Sequence, residues 1–198
     1  MSNSKPIAEG AEAKIFLINI SGIKYIVKER MPKNYRAKEL DNSILSKRIK
    51  SEVKILNLAK KFKVNCPYVF YSDDKKIIME YLQYKESKEY ILSNPNIMKA
   101  IARDVVHLHK NNIIHGDLTL CNILFDNKNQ KPYFIDFGLS YISTKLEDKA
   151  MDLEVLREIT IADFSEKVWK IFLNEYAKAN PEVIKYMEKI QKRKKYLS

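Results

Sequence analysis

The stretch His115-Gly116-Asp117-Leu118-Thr119-Leu120-Cys121-Asn122, followed fourteen residues later by Asp136-Phe137-Gly138, constrains this chain more than any other. A carboxylate, an amide five positions on and a second carboxylate are the groups needed to place a proton acceptor and two oxygen ligands for metal ions. Phosphoryl transfer asks a protein for little more than such positioning and for cations on the phosphate oxygens. Asp136 is the expected ligand of an Mg²⁺ ion on the β- and γ-phosphates, Asn122 would offer a neutral amide oxygen to a second ion, and Asp117 would orient the attacking hydroxyl or water and accept its proton. An isolated loop aspartate is usually a turn or helix cap, but the shared spacing argues against that for Asp117. His115 is expected to hold the loop by hydrogen bonding rather than to act as a base.

The remaining composition is compatible with a packed protein of one domain or two small lobes. Among 198 residues 45% are hydrophobic and 11% aromatic, enough for a core. A net charge of +11 favours polyanionic partners, although solubilising charge alone would look the same. Cys66 and Cys121 cannot form a disulfide framework or a metal site and are expected as reduced thiols, with Cys121 a small packing residue beside Asn122. The polar start, Met1 to Lys5, lacks an apolar signal core, and no run approaches the roughly 20 apolar residues of a membrane span. A cytoplasmic protein with no membrane contact is the expectation.

Residues 7 to 29 alternate like three short antiparallel strands, with a turn at Ser21-Gly22. Between the first two lie Gly10, Ala11, Glu12 and Ala13, small enough in part for backbone amides to approach phosphates, although a lone Gly between strands is more often a plain turn. Lys28 ends the third strand. Its expected partner is Glu52, on a helix from about Asp41 to Phe62 whose apolar positions Leu45, Ile49, Val53, Leu56 and Ala59 recur at helical spacing. Glu52 borders that stripe and should sit half-buried. From residue 47 on, the helix and its end carry Lys47, Arg48, Lys50, Lys54, Lys60, Lys61 and Lys63 against the single acid Glu52, which suits a solvated face or a nucleic-acid or partner surface equally well. Tyr68 to Tyr71 and Lys76 to Glu80 complete a five-stranded sheet. Met79 is expected behind the adenine, with the backbone from Glu80 to Leu82 along its edge.

The lobe boundary therefore falls near residue 82, giving an N-lobe of 1–82 and a C-lobe of 83–198. Helical patterns follow at Lys85 to Leu92 and Asn96 to Lys110, then the loop, then a hairpin of Ile123-Leu124-Phe125 with Tyr133-Phe134-Ile135. Helices are expected at Lys149 to Glu158, Phe164 to Lys178 and from Pro181 to about Tyr196. The chain closes on Lys192-Arg193-Lys194-Lys195, a solvated tail or a contact for phosphate backbone.

Together these motifs resemble those of the small atypical kinase of the KEOPS complex, the PRPK family in its compact archaeal form. The marks are Glu9-Gly10-Ala11-Glu12-Ala13 in place of a Gly-rich loop, Lys28-Glu29-Arg30, Tyr35-Arg36 with Leu40-Asp41, Arg48 with Glu52, His115 to Thr119, Ile135-Asp136-Phe137-Gly138-Leu139-Ser140, and Glu147-Asp148-Lys149-Ala150 with Asp152-Leu153. The Tyr-Ile-Val-Lys strand ending at Lys28 also resembles the Val-Ala-Ile-Lys strand of protein kinases. The resemblance implies an α+β, bilobal kinase fold that binds ATP and Mg²⁺, with Ser/Thr autophosphorylation and ATPase activity. It further implies a Kae-type threonylcarbamoyl transferase subunit, a small subunit on the N-lobe and tRNA as partners, ATP hydrolysis rather than a protein substrate supporting tRNA modification. Gly116 stands where ordinary kinases carry an Arg, so activation by a phosphorylated loop is not expected. Only 15 residues separate Asp136 from Asp152, with no Ala-Pro-Glu motif between them. Asp152 is expected to cap the amides of the catalytic loop.

Two other readings compete. Small-molecule phosphotransferases of the aminoglycoside or choline type share His-Gly-Asp-Leu, but they need a helical insertion and only 81 residues follow Asp117. A tRNA-binding scaffold that merely retains a nucleotide site would not need Lys28, Asp117, Asn122 and Asp136 all intact.

Overall fold

A computed structural model describes residues 5–10, 13–32 and 38–197, and their side chains except those of residues 38, 39 and 194–197. The first layer is an antiparallel sheet formed by β1 (Ala8–Glu9), β2 (Ala13–Ile20), β3 (Ile23–Arg30), β4 (Val69–Ser72) and β5 (Lys76–Glu80), in the spatial order β1-β2-β3-β5-β4. The β2–β3 hairpin closes at Ser21-Gly22 as the sequence predicts. Both turn residues take positive φ (52° and 84°), the two-residue geometry that follows strand twist, and the Gly22 amide donates to Asn19 Oδ1 at 2.9 Å.

Strand periodicity sends Ile26, Lys28 and Arg30 to one face of β3, and the register aligns Ile26 with Met79 and Lys28 with Ile77. That face packs on α1 (Lys38–Lys61), whose Ile49 forms a small apolar cluster with Ile77 and Met79. The C-terminal part of the same helix, through Ile55, Leu56 and Ala59, joins a larger cluster that continues into the second layer. One helix thus ties the sheet to the helical core.

That core surrounds α3 (Ile97–Lys110), which follows β6 (Lys85–Glu86) and the short α2 (Lys88–Ile91). Ile97, Ile101, Val105 and Leu108 line its buried face as the spacing predicts. Beyond it come β7 (Ile113–Ile114), a 3₁₀ turn at Leu120–Asn122, the hairpin of β8 (Ile123–Asp126) and β9 (Lys131–Phe134), and β10 (Tyr141–Ile142). The remaining helices are α4 (Leu146–Asp163), α5 (Glu166–Ala177) and α6 (Pro181–Leu197). On α5, Trp169, Phe172 and Tyr176 are fully buried and stack in sequence, with centroid separations of 5.0 and 5.9 Å.

Four elements differ from the sequence reading. Lys85–Glu86 is a strand paired with Phe125 and Leu124, because the Ser87 amide and hydroxyl donate to the Ile123 and Leu120 carbonyls and commit the backbone there. The pairing of β7 with β10 is new; each has only two residues. Helix α4 begins at Leu146 and ends at Asp163, beyond the expected 149 to 158, and its buried side chains include Asp152 and Glu154. Glu154 accepts two hydrogen bonds from Arg157, both 2.8 Å, and one from Gln191 at 2.9 Å, fastening α6 to α4. Among the described residues no helix is long and apolar enough to cross a membrane.

Replacing Phe172 with Ala should empty the centre of the α3–α5 packing. We expect a loss of about 3–5 kcal/mol in urea unfolding; a loss below about 1 kcal/mol would show that the stacked aromatics of α5 are not core.

Candidate active site

Lys28 is the centre of the cleft. Its ammonium donates to Glu52 Oε1 at 2.7 Å and to Asp136 Oδ1 at 2.6 Å, linking strand β3, helix α1 and the segment after β9. Glu52 is not half-buried as the sequence suggested but only 1% exposed, because its second oxygen takes Arg30 Nη2 at 2.6 Å. A carboxylate sealed between two cations can lie deeper than one at the border of an apolar stripe. Arg30 was legible as part of a motif, without a role. Its position two residues after Lys28, hence on the same strand face, is the signal that could have assigned one.

The Asp136 side chain is half exposed. Burial works to raise its pKa, but the charge and hydrogen bond of Lys28, together with the Gly138 amide, hold it below the ordinary carboxylate range. Its backbone adopts φ 59°, a left-handed conformation uncommon for a non-glycine residue and concentrated at functional sites.

The catalytic loop is hung from α4 and from Ile135. Asp152 accepts from the amides of His115 (2.6 Å) and Gly116 (2.8 Å), so the expected cap is present, and His109 Nε2 lies 3.2 Å from the same carboxylate. Burial opposes ionisation of Asp152, yet His109 and the other donors pull its pKa below the usual value. His109 is thus more than a packing residue: its other ring nitrogen sits 2.7 Å from the buried Tyr176 hydroxyl. His115 donates from Nε2 to the Ile135 carbonyl at 3.0 Å, and its ring lies 5.0 Å from Phe137, which is the structural role expected of it. Burial lowers the His115 pKa and keeps the ring neutral.

Gly116 has φ 80°, and a Cβ there would lie 2.3 Å from the Leu139 carbonyl oxygen. No side chain, the Arg of ordinary kinases included, fits here without moving the segment after Gly138. Asn122 is fixed by its amide nitrogen, which donates to the Asp117 carbonyl and to Asp117 Oδ2, both at 2.9 Å. Its main-chain carbonyl accepts from Ile135, placing the amide beside the Asp-Phe-Gly segment.

Gly10, Ala13, Ile15, Lys28, Arg30, Asp117, Asp136, Gly138 and Leu139 line one cavity of about 340 Å³. The structure therefore gathers Gly10, Ala13, Lys28, Asp117 and Asp136 directly, with Glu52 and Asn122 behind them. Ala11 and Glu12 lie outside the described residues, as do Tyr35 and Arg36. Met79 and Leu82 are buried and Glu80 half-buried, with the Glu80 amide bonded to the Tyr68 carbonyl; they do not line this cavity. Cys121 is exposed rather than packed, because the 3₁₀ turn faces it outward, where Lys88 Nζ lies 3.3 Å from its sulfur.

A model of the protein kinase domain matches residues 2–162. A Dictyostelium discoideum protein named as the EKC/KEOPS complex subunit bud32 is 39% identical over 184 residues, covering 86% of this chain and 73% of its own length. This chain belongs to the Bud32 family. A probable bifunctional tRNA threonylcarbamoyladenosine biosynthesis protein of Methanocaldococcus jannaschii is 37% identical over 96% of this chain, which spans only 37% of that relative. Among solved structures, the Rio2 kinase of Chaetomium thermophilum superposes with a TM-score of 0.65 at 14% identity, over 96% of this chain and 70% of that one. The fold is that of a protein kinase, as expected.

The pKa shifts set an acid response. Folded His115 resists a proton that the unfolded chain accepts below about pH 6.5, so stability should begin to fall there on acidification. The share from Asp152 is present above about pH 3.9 and lost as pH drops through its lower folded value. Asp152→Asn should cost about 3 kcal/mol at pH 7 and flatten the most acidic part of a urea-midpoint profile; an unchanged profile would show that this carboxylate does not hold the loop.

Proposed function

We propose that this Bud32-family chain is an ATP-dependent phosphotransferase and ATPase that supports threonylcarbamoyladenosine modification of tRNA within a KEOPS assembly. The observation that carries the chemistry is Lys28, within hydrogen-bond reach of both Glu52 and Asp136 on the wall of a cavity that Asp117 also lines. Lys28 would hold phosphate oxygens, Glu52 would keep it aimed, and the loop at Gly10 to Ala13 would cover the phosphates. Met79, Glu80 and Leu82 would border the base. Asp117 would orient the nucleophile and accept its proton.

The residues suit Mg²⁺. Asp136 commits one oxygen to Lys28 and retains the other, and Asn122, anchored by its nitrogen, has its amide oxygen left to donate. Among the described residues no group of three or more His, Cys, Asp or Glu could hold a metal, and Mg²⁺ suits such a sparse set because it keeps several waters. When bound, the ion would neutralise charge on the phosphates.

Hydrolysis rather than protein phosphorylation fits the short segment after Gly138. It folds back through β10 onto β7, and the Ser143 amide donates to the Asn112 carbonyl, leaving little platform for a peptide. We assign an N-lobe to residue 82 and a C-lobe beyond it. A Kae-type subunit, a small subunit on the N-lobe and tRNA complete the assembly, in the cytoplasm. The outer sheet face suits the small subunit: Ile20, Ile23 and Phe70 are each more than half exposed there. The basic end of α6 would contact tRNA.

Inorganic phosphate release, measured with the Kae-type subunit and tRNA added, tests this reading. Asp136→Asn and Asp117→Ala should each lower the rate by about 100-fold or more. Equal rates in both variants and wild type would overturn it.

A further inference from the structure

Helix α1 has two faces with opposite duties. Glu52 points inward to Lys28, while Lys47, Lys50, Lys54 and Lys61 are exposed. At 100° per residue these four fall within an arc of about 60°, and at 1.5 Å rise they extend over about 21 Å. Between Lys47 and Lys63 the only acid is Glu52, which is buried on the other side. Among the described residues the carboxylate paired with the stripe is Asp74, 3.8 Å from Lys50 with both side chains about three-quarters exposed. Exposed Lys63 extends the positive track past the end of the helix.

A helix whose outer face served solubility alone would gain from acids four residues away from these lysines, since like charges at that spacing destabilise it. The stripe forgoes this. The exposed apolar Leu40 lies two turns before Lys47, and between Lys47 and Lys61 no large apolar side chain is exposed, so the stripe lacks the aromatic or aliphatic anchors that a protein interface concentrates at its centre. A membrane-surface helix would need an apolar face to bury, and that face of α1 is already taken by Ile49, Leu56 and Ala59. What remains complementary is a regularly charged polyanion that is read without sequence preference. Lysines, as flexible point charges, suit phosphate oxygens and fix position rather than sequence.

We infer that Lys47, Lys50, Lys54 and Lys61 form a docking track for the phosphate backbone of RNA. The inference rests on the tRNA reading above and adds a site to it. The track is formed by the outer face of the helix that aligns Lys28 and is separate from the basic end of α6.

The test uses the full chain, an unmodified tRNA transcript and fluorescence anisotropy from 50 to 200 mM salt, the range over which phosphate contacts are read as a slope. Replacing all four lysines by Gln should weaken binding by roughly tenfold or more at the lowest salt and make the log–log slope shallower by about three. Truncation after Gln191, which spares the track, should leave a salt-dependent component that the four substitutions then remove. Lys54→Gln with Lys61→Gln alone should give an intermediate loss, should the quadruple variant not fold. Phosphate release without RNA should match wild type in all lysine variants. Absence of release in wild type would count against the ATPase alone and leave this inference to the binding data. Unchanged affinity and slope would overturn the track. So would retained RNA binding accompanied by loss of binding to phosphatidylserine vesicles or to the protein subunits.

Discussion

The arrangement depends on one buried carboxylate. Glu52 receives Lys28 on one oxygen and Arg30 on the other, and both cations come from the same face of β3. Two cations and one acid would leave excess charge in a place water does not reach; Asp136, half exposed at the cavity wall, supplies the second acid to Lys28. Breaking a buried network of this kind by removing one partner costs about 3–5 kcal/mol, because the others are left uncompensated. The distance between α1 and the sheet, the direction of Lys28 and the position of the Asp-Phe-Gly segment are therefore set together. A nucleotide entering the cleft would compete with Asp136 for Lys28 and free the acid for a metal.

A second buried carboxylate does for the loop what Glu52 does for the lysine. Asp152 satisfies two consecutive loop amides and is itself kept ionised by His109 and those donors against the cost of burial. Because the loop also bonds to Ile135 through His115, it is held from α4 below and from the segment leading into Asp-Phe-Gly beside it. The backbone at Gly116 passes so close to the Leu139 carbonyl that no Arg could stand there. These bonds order the loop from within the fold, and the stretch between Gly138 and α4 is short.

The parts of this account that were legible in the sequence are those with local signatures. Strand alternation located β2 and β3, the apolar stripe located α1, and the spacing of Asp117, Asn122 and Asp136 located the loop. Glu52 was found because it borders that stripe. What stayed hidden depended on tertiary pairing. Two-residue strands such as β7 and β10 carry too few side chains for a period. Helix α4 buries Glu154 alongside its leucines, so this polar residue reads as surface when it is core. Arg30 has the composition of an exposed strand end, and only Glu52 opposite makes it a buried one. Cys121 reads as a packing residue but is exposed, because the 3₁₀ turn, capped by Thr119, decides which way it faces.

The central claim is that Lys28 and Asp136 form a site for ATP that requires a metal ion. Its most direct test is the melting temperature of the chain with ATP, in Mg²⁺ or in EDTA, for wild type and Asp136→Asn. A ligand at 100 times its dissociation constant stabilises by about 2.7 kcal/mol, or roughly 5–10 °C for a chain of this size. We predict such a rise for wild type with ATP and Mg²⁺, a much smaller one in EDTA, and no Mg²⁺-dependent increment for the variant. The same rise in all four conditions would contradict the account.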